Sequence, residues 1–195
     1  MHIHKTVLAL MLTAPMVPSV SAQSVGSEVQ RDVNQESRIE QGLKSGQLSS
    51  GEAARLEKGE ARIDKMESRA SKDGTLSQAE AAKIQRAQNQ ESQDISRLKH
   101  NDTTGNPNSA SSQRMQADVQ RNINQQSRIE QGVQSGQLTN KETSNLERGQ
   151  ARVNRAEARA GADGHVGARE QARIQRRENA QSQHIFRDKH NKRQQ

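Results

Sequence analysis

The sequence predicts an all-α protein made of two tandem copies of a three-helix unit (helix-turn-helix-turn-helix) that follow a cleaved signal peptide. Three observations predict this class: an apolar N-terminal segment, a long internal repeat, and glycine-interrupted stretches rich in the helix-favouring residues Gln, Glu, Arg, Lys and Ala. The predicted divisions are a signal peptide at 1–22, a first three-helix repeat at 23–100, a polar linker at 101–116, and a second three-helix repeat with a basic C-terminal helix at 117–195.

The N-terminal segment has the three parts of a secretory signal peptide. Residues 1–5 contain His and Lys, residues 6–20 are almost all apolar or small, and small residues precede a predicted cleavage site before Gln23. The apolar stretch is too short to cross a bilayer comfortably, and Pro15 and Pro18 interrupt it. We therefore expect an exported protein, periplasmic or secreted, with no membrane span in the mature chain.

An internal duplication accounts for nearly all of the remaining chain. The motif Val29-Gln30-Arg31 returns as Val119-Gln120-Arg121, and the same offset relates the later motifs without a gap. About half of the aligned positions are identical, which chance does not produce over so long a unit. A stretch rich in Asn, Thr, Ser and Gly separates the copies and holds Pro107, as expected of a linker or exposed turn.

Each copy is predicted to form three helices. They lie near residues 28–44, 50–71 and 77–99, and again near 118–134, 140–161 and 167–191. Gly46 and Gly74 favour left-handed helix ends, and Ser49 with Glu52 has the spacing of a capping box. An apolar seam with helical spacing marks the middle helix: Leu56, Gly59, Ile63, Met66 and Ala70.

The apolar content is low. Hydrophobic residues make up 29% of the chain, Phe186 is its one aromatic residue, and it has no cysteine for disulfide bonds. The core of a single repeat would therefore be marginal against the entropy lost on folding. We expect that the repeats share a core, that the chain forms an oligomer, or that part of it orders only on a partner.

A glycine, an apolar residue two positions later and a glutamate six positions later recur at the turns, as in Gly46-Gln47-Leu48 before Glu52. This spacing resembles the outgoing half of an EF-hand loop. The resemblance places Ca²⁺ ligands at Glu52, Asp73, Glu80, Glu142, Asp163 and Glu170. The incoming half departs from the pattern, since Arg69 and Arg159 stand where a leading aspartate belongs. Glycine caps with capping boxes account for the same residues.

The histidines offer a second metal prediction. His184 and His190 would join the turn acids as a weak transition-metal site, although a histidine at a helix C-terminus also interacts favourably with the helix dipole. No other cofactor is expected.

A wider set of motifs carries a further resemblance. Arg-Ile-Glu-Gln-Gly, Ser-Gly-Gln-Leu, Asp-Gly, Gln-Asn-Gln-Glu-Ser-Gln-Asp-Ile and Lys-His-Asn follow one another within the unit. Together they resemble exported helical-repeat proteins of proteobacteria that have degenerate EF-hand-like turns. The resemblance implies an envelope location and a helical fold, and it implies no particular activity.

The net charge of +7 is concentrated in the second copy. Several acids of the first copy are replaced there by amides, as Asp32 by Asn122 and Glu36 by Gln126, and Asp94 is replaced by His184. The last helix and tail carry a basic stripe, which we predict to bind an anionic envelope component or another protein: Arg169, Arg173, Arg176, Arg177, Arg187, Lys189, Lys192 and Arg193. A solvated helix face with internal ion pairs is the alternative.

No nucleophile with a base, catalytic carboxylate pair or phosphate loop is recognisable, so an enzyme is not expected. Nucleic acid is not an expected partner, because the protein is exported and lacks aromatic residues for base stacking. The leading prediction is a non-enzymatic envelope binding or stress-protection protein that uses polar, basic helical surfaces. The alternatives are a divalent-cation-binding protein with degenerate EF-hand-like turns and a structural repeat that dimerises.

Overall fold

The computed structural model describes residues 25–191, and this range is all-helical, without a strand. Its α-helices are α1 (Val25–Ser45), α2 (Ser50–Ala70), α3 (Gln78–Lys99), α4 (Ala110–Gln134), α5 (Asn140–Ala160) and α6 (Ala168–Lys189), with a 3₁₀ turn at Ser71–Asp73. The predicted all-α class is confirmed. The predicted signal peptide, Lys192 and Arg193 lie outside the described residues.

The helix starts follow the predicted capping chemistry, with one exception. Capping boxes open α2, α3 and α5, as where the Ser49 hydroxyl accepts from the Glu52 amide and the Glu52 carboxylate accepts from the Ser49 amide. Helix α4 begins at Ala110 and not near residue 118. The hydroxyl of Ser109 caps it by accepting from the amide of Ser112 at 3.1 Å, and Met115 is buried in its first turns. Residues 110–116, predicted as linker, are therefore helical.

Helices from the two copies pack against each other. Helix α2 lies antiparallel to α5, since the Ser144 hydroxyl donates to the Ser68 carbonyl at 2.6 Å while Gly51 lies beside Gly164 at the other end. Helix α1 packs on α4 in the same way, and α3 and α6 cover the flanks. Of the three ways in which a repeat with few apolar residues could be stabilised, the structure shows the first, a core that the two repeats share.

The same contact between the copies occurs twice, with the roles of the first and second copy exchanged. The Gln126 amide donates to Asp64 at 3.2 Å, and Asn154 donates to Glu36 at 3.2 Å; the constant offset converts one pair into the other. The copies are thus related by an approximate two-fold axis that passes between α2 and α5.

Apolar residues form two clusters, one toward each end of the bundle. The first includes Ile39, Leu43, Leu56, Met115 and Ile174, and the second includes Val29, Ile129, Leu138, Leu146 and Ile185. Polar side chains occupy the interior between them. None of the helices in the described range is long and apolar enough to span a membrane.

Candidate cation site in the bundle interior

The interior between the apolar clusters is acidic. Carboxylates recur at helical spacing on the faces of α1, α2 and α5 that point into the bundle, and each is at most 2% exposed: Asp32, Glu36, Glu57, Glu60, Asp64, Glu67, Glu147 and Glu157. The set in α2 steps by three and four residues, so a single helix face carries four of them. Buried charges are normally paired with opposite charge or with a metal ion.

None of the Lys, Arg and His side chains between residues 25 and 191 pairs with these eight carboxylates. The buried polar residues between 25 and 191 include no Lys, Arg or His. The hydrogen-bond donors that reach the acids are side-chain amides. Gln88 donates to Asp32 at 2.9 Å and to Glu67 at 3.1 Å, while Gln126 donates to Asp64 and to Glu147, both at 3.2 Å.

Four of the carboxylates converge on one point. Asp32 of α1, Asp64 and Glu67 of α2, and Glu147 of α5 each place one oxygen within 4.8 Å of the other three. We call these four residues the acidic quartet. Its members come from both copies, so the quartet exists only because the copies pack together. Two oxygens bound to one cation at 2.0–2.6 Å are separated by at most about 5 Å, so the spacing fits a shared ion.

The ionisation of the quartet is strongly opposed. Burial raises the pKa of Asp32 to about 7 and that of Glu147 to about 8. Burial, followed by the charges of neighbouring acids, raises the pKa values of Asp64 and Glu67 well above their usual range. Like charges at this separation cannot all ionise in a dry interior. The group must therefore hold protons or bind a cation.

Many interior oxygens also lack a hydrogen-bond donor. Both carboxylate oxygens of Glu57 and of Glu60 accept no hydrogen bond, and the same is true of one oxygen each on Asp32, Glu67 and Glu147. A buried acceptor without a donor costs free energy comparable to a lost hydrogen bond. A bound cation would satisfy such oxygens directly.

The two-fold axis generates a second, less charged group. Its members are Asn122, Asn154, Glu157 and Glu57, so two amides replace the two aspartates of the quartet. Asn122 donates to Glu157 at 2.7 Å, a contact that an aspartate could not make. The second group therefore satisfies some of its polar atoms by a hydrogen bond within the group, whereas the four carboxylates of the quartet include no amide donor.

The ligand set of the quartet consists of oxygen alone. Carboxylate and carbonyl oxygens suit hard cations such as Ca²⁺, Mg²⁺ and Mn²⁺. The side-chain amides of Gln126 and Asn154 donate to Asp64 of the quartet, and their oxygens accept no hydrogen bond.

The acids predicted from the EF-hand resemblance occupy helix starts and turns, away from the quartet. Glu52, Glu80, Glu142 and Glu170 each accept from the backbone N–H three residues earlier. Glu52 and Glu142 also accept from Asn101 and Asn191, both at 2.6 Å. Asp73 accepts from the amide of Thr75 and Asp163 from that of His165. The structure does not bring these turn acids together.

The predicted histidines lie at the surface near the end of α6. His190 contacts the Phe186 carbonyl through Nδ1 at 2.7 Å, and its ring stacks on Phe186 with centroids 4.2 Å apart. His184 Nδ1 lies 2.8 Å from an Arg187 nitrogen. The two histidines therefore have separate local partners.

The predicted basic stripe of α6 is mostly solvent-facing. Arg169, Arg173, Arg176 and Arg177 are exposed. Arg187 pairs with Asp188 at 3.2 Å, and Lys189 donates to the Arg128 carbonyl at 3.1 Å, which ties the helix end to α4.

Comparison with protein-family models, with curated proteins and with solved structures found no match to this chain.

Proposed function

We propose that this protein binds a divalent cation in the interior of its helical bundle, through the acidic quartet. One observation carries the proposal: four carboxylate oxygens lie within 4.8 Å of one another in an interior that no described basic side chain enters. A cation there would replace the protons that the raised pKa values otherwise require. It would also supply partners for the unsatisfied oxygens.

The bound ion would join the two halves of the molecule. Asp64 belongs to the first copy and Glu147 to the second, so an ion between them cross-links α2 and α5. We propose that the chain arose by duplication of a three-helix unit, and that its copies bury the ion between them. Because the quartet is at most 2% exposed, binding and not turnover of a substrate is the proposed activity.

Calorimetry with CaCl₂, MgCl₂ and MnCl₂ tests this function. Asp32→Asn combined with Asp64→Asn gives the quartet the residues that the second copy already has at Asn122 and Asn154, so the interior keeps its shape. We expect the wild-type protein to bind one ion, and the double variant to lose affinity by at least about 100-fold, because carboxylate count sets cation affinity. Melting followed by circular dichroism should show the same loss of ion-dependent stabilisation.

Glu142→Gln is the matched control. Glutamine keeps the capping box at the start of α5 but removes the charge at the EF-hand-like position. We expect this variant to bind the ion as the wild type does. If Glu142→Gln abolished binding and the double variant retained it, the turns would be the site and the interior proposal would be wrong. Absence of binding for all three ions would also overturn it.

The basic stripe of α6 and the exported location remain separate proposals. The exposure of Arg173 and Arg176 is consistent with an anionic or protein partner for that helix. Export predicts that the mature protein begins at Gln23, which intact mass spectrometry of protein from the producing cell would test.

A further inference from the structure

The outer faces of α2 and α5 form a groove of about 520 Å³. Its floor consists of small residues: Gly51, Ala54, Ala61, Ala158 and Ala162. Its walls carry six basic side chains: Arg55, Lys58, Arg62, Lys65, Arg155 and Arg159. Within the described part of the chain, no acidic residue lines the groove. The volume falls within the range of pockets that hold small molecules.

The cations of the groove have few acidic neighbours on their own helix, for a structural reason. On α2, each interior acid lies two residues from a groove cation, as Glu57 from Arg55 and Asp64 from Arg62. Residues two apart on a helix point to opposite sides. Because these acids of α2 point into the interior, they do not lie beside the cations of the outer face. Within residues 25–191, none of the ion pairs or side-chain hydrogen bonds involves these six cations.

Three acids, Glu52, Glu91 and Asp94, lie near Arg55 and Arg62 at one edge of the groove. Arg62 also borders Glu91 and Asp94 of α3, but Asp94 pairs with Arg97 at 2.6 Å. A solvated face with balanced ion pairs, the usual arrangement for charged helices, is thus absent from this described surface. The nearby acids offset only part of the six positive charges, so the face carries a net positive field.

The shape of the groove indicates an extended ligand with an apolar part. The four cations of α2 extend from Arg55 to Lys65, which is about 15 Å along the helix at 1.5 Å per residue. A single small anion reaches only two or three of them. The alanine methyl groups of the floor and the aliphatic stems of the Arg and Lys walls form an apolar trough with charged rims. A fully polar polyanion would form no apolar contacts with this floor.

We infer that this groove binds a phosphate-bearing lipid, with an acyl chain on the small-residue floor and phosphate groups at the Arg and Lys rims. Guanidinium groups bind phosphate oxygens in a bidentate manner, and four of the six cations are arginines. This inference is independent of the cation site, because the groove and the quartet lie on opposite faces of α2.

Co-flotation with phosphatidylcholine vesicles, with and without phosphatidylglycerol, tests the inference on the wild-type protein. Arg62→Gln combined with Arg155→Gln removes one cation from each wall. The control combines Arg86→Gln and Lys141→Gln, which are exposed cations on α3 and α5 that belong neither to the groove nor to the basic stripe of α6. We expect binding to the anionic vesicles only, with a loss of about 10- to 30-fold in the groove variant and a much smaller loss in the control.

Two further arms test the lipid chemistry. Ala162→Glu places a charge on the floor at an exposed position, so the fold is retained while the acyl chain is repelled; we expect it to lose vesicle binding as well. Sodium tripolyphosphate serves as a head-group probe without a chain. Equal losses in the groove and control variants would show only diffuse attraction and overturn the inference. Tight tripolyphosphate binding, unaffected by Ala162→Glu and without vesicle binding, would also overturn it.

Discussion

Replacing one interior acid by its isosteric amide should stabilise the protein in the absence of metal. Glu36 is fully buried, and burial raises its pKa from 4.5 to about 8. Its Oε1 accepts from Asn154 at 3.2 Å, while its Oε2 has no donor. Glutamine would keep the first contact and offer an amide donor on the other side. The second copy already has this arrangement, because Gln126 donates to both Asp64 and Glu147.

The magnitude follows from proton linkage. The pKa of Glu36 is higher in the folded state, so its contribution to stability is fully present below about pH 4.5 and is lost as the pH rises to about 8. At pH 7 the folded protein must hold a proton that the unfolded chain has released. The cost is about 3 kcal/mol, from 1.36 kcal/mol per pH unit between 4.5 and 7. Glu36→Gln removes this cost.

Urea denaturation at pH 7 and pH 4 in the presence of EDTA measures the effect. We expect Glu36→Gln to raise the midpoint by about 1–2 M at pH 7 and to change it little at pH 4. Glu40→Gln, one turn later, is the control: it breaks only the 2.6 Å pair with Lys44, worth about 0.3–0.5 kcal/mol. The reasoning is refuted if Glu36→Gln destabilises the protein at pH 7, or if its effect is the same at both pH values.

Three further predictions follow from the same geometry. Asn122→Asp combined with Asn154→Asp should raise the number of bound ions from one to two, because it restores the charge of the second group; calorimetry that still gives one ion would contradict the two-fold argument. Cation affinity should rise from pH 5 to pH 8 with measurable proton release, since the cation displaces protons from acids with raised pKa values; titration in buffers of different ionisation enthalpy measures that release, and a pH-independent affinity would argue against the quartet. Gly105→Ala should destabilise by about 1–3 kcal/mol, because its Cβ would lie 2.3 Å from the Leu48 carbonyl oxygen; an unchanged urea midpoint would show that the linker is not held against the α1–α2 turn as described.

The helices could be predicted because their ends carry local signals. Ser49 with Glu52 and Thr139 with Glu142 specify a helix start within four residues, and the structure has both. The start of α4 could not be predicted in the same way. Ser109 caps it without a glutamate at the third position, within a Ser- and Asn-rich stretch that reads as a loop.

The interior site was missed because carboxylates at helical spacing usually mark a solvent-exposed face. On α2 the spacing of Leu56 and Ile63 predicts a buried seam, whereas the stripe of Glu60 and Asp64 on another face carries no local sign of burial. Burial of that second face depends in part on α4 and α5, helices of the other copy, since Gln126 and Asn154 donate to Asp64. Which of its faces a central helix buries depends on tertiary packing, which no local pattern of the first copy records.

A signal was nevertheless present in the differences between the copies. Where the copies exchange Asp for Asn or Glu for Gln, as at Asp64 and Asn154, both side chains are buried in the structure. These exchanges change charge while preserving shape, as a packed interior requires. The exchange of Asp94 for His184 changes both the charge and the shape of the side chain, and both side chains are in contact with solvent. Shape-preserving exchange between repeats therefore distinguishes a buried polar position from a surface one.

The duplication also explains how so acidic an interior can fold. Of the eight carboxylates on the inner faces of α1, α2 and α5, six come from the first copy and two, Glu147 and Glu157, from the second, to which α4 and α6 add the fully buried Asp118 and Glu178. A symmetric dimer of first copies would bury twice six of these inner-face acids, whereas a dimer of second copies would have amides, Asn122 and Asn154, at the two aspartate positions of the quartet. Joining unlike copies lets Gln126 and Asn154 of one donate to the acids of the other. The asymmetry thus gathers four carboxylates with raised pKa values in one group, while amides donate to other acids, such as Glu36 and Glu157.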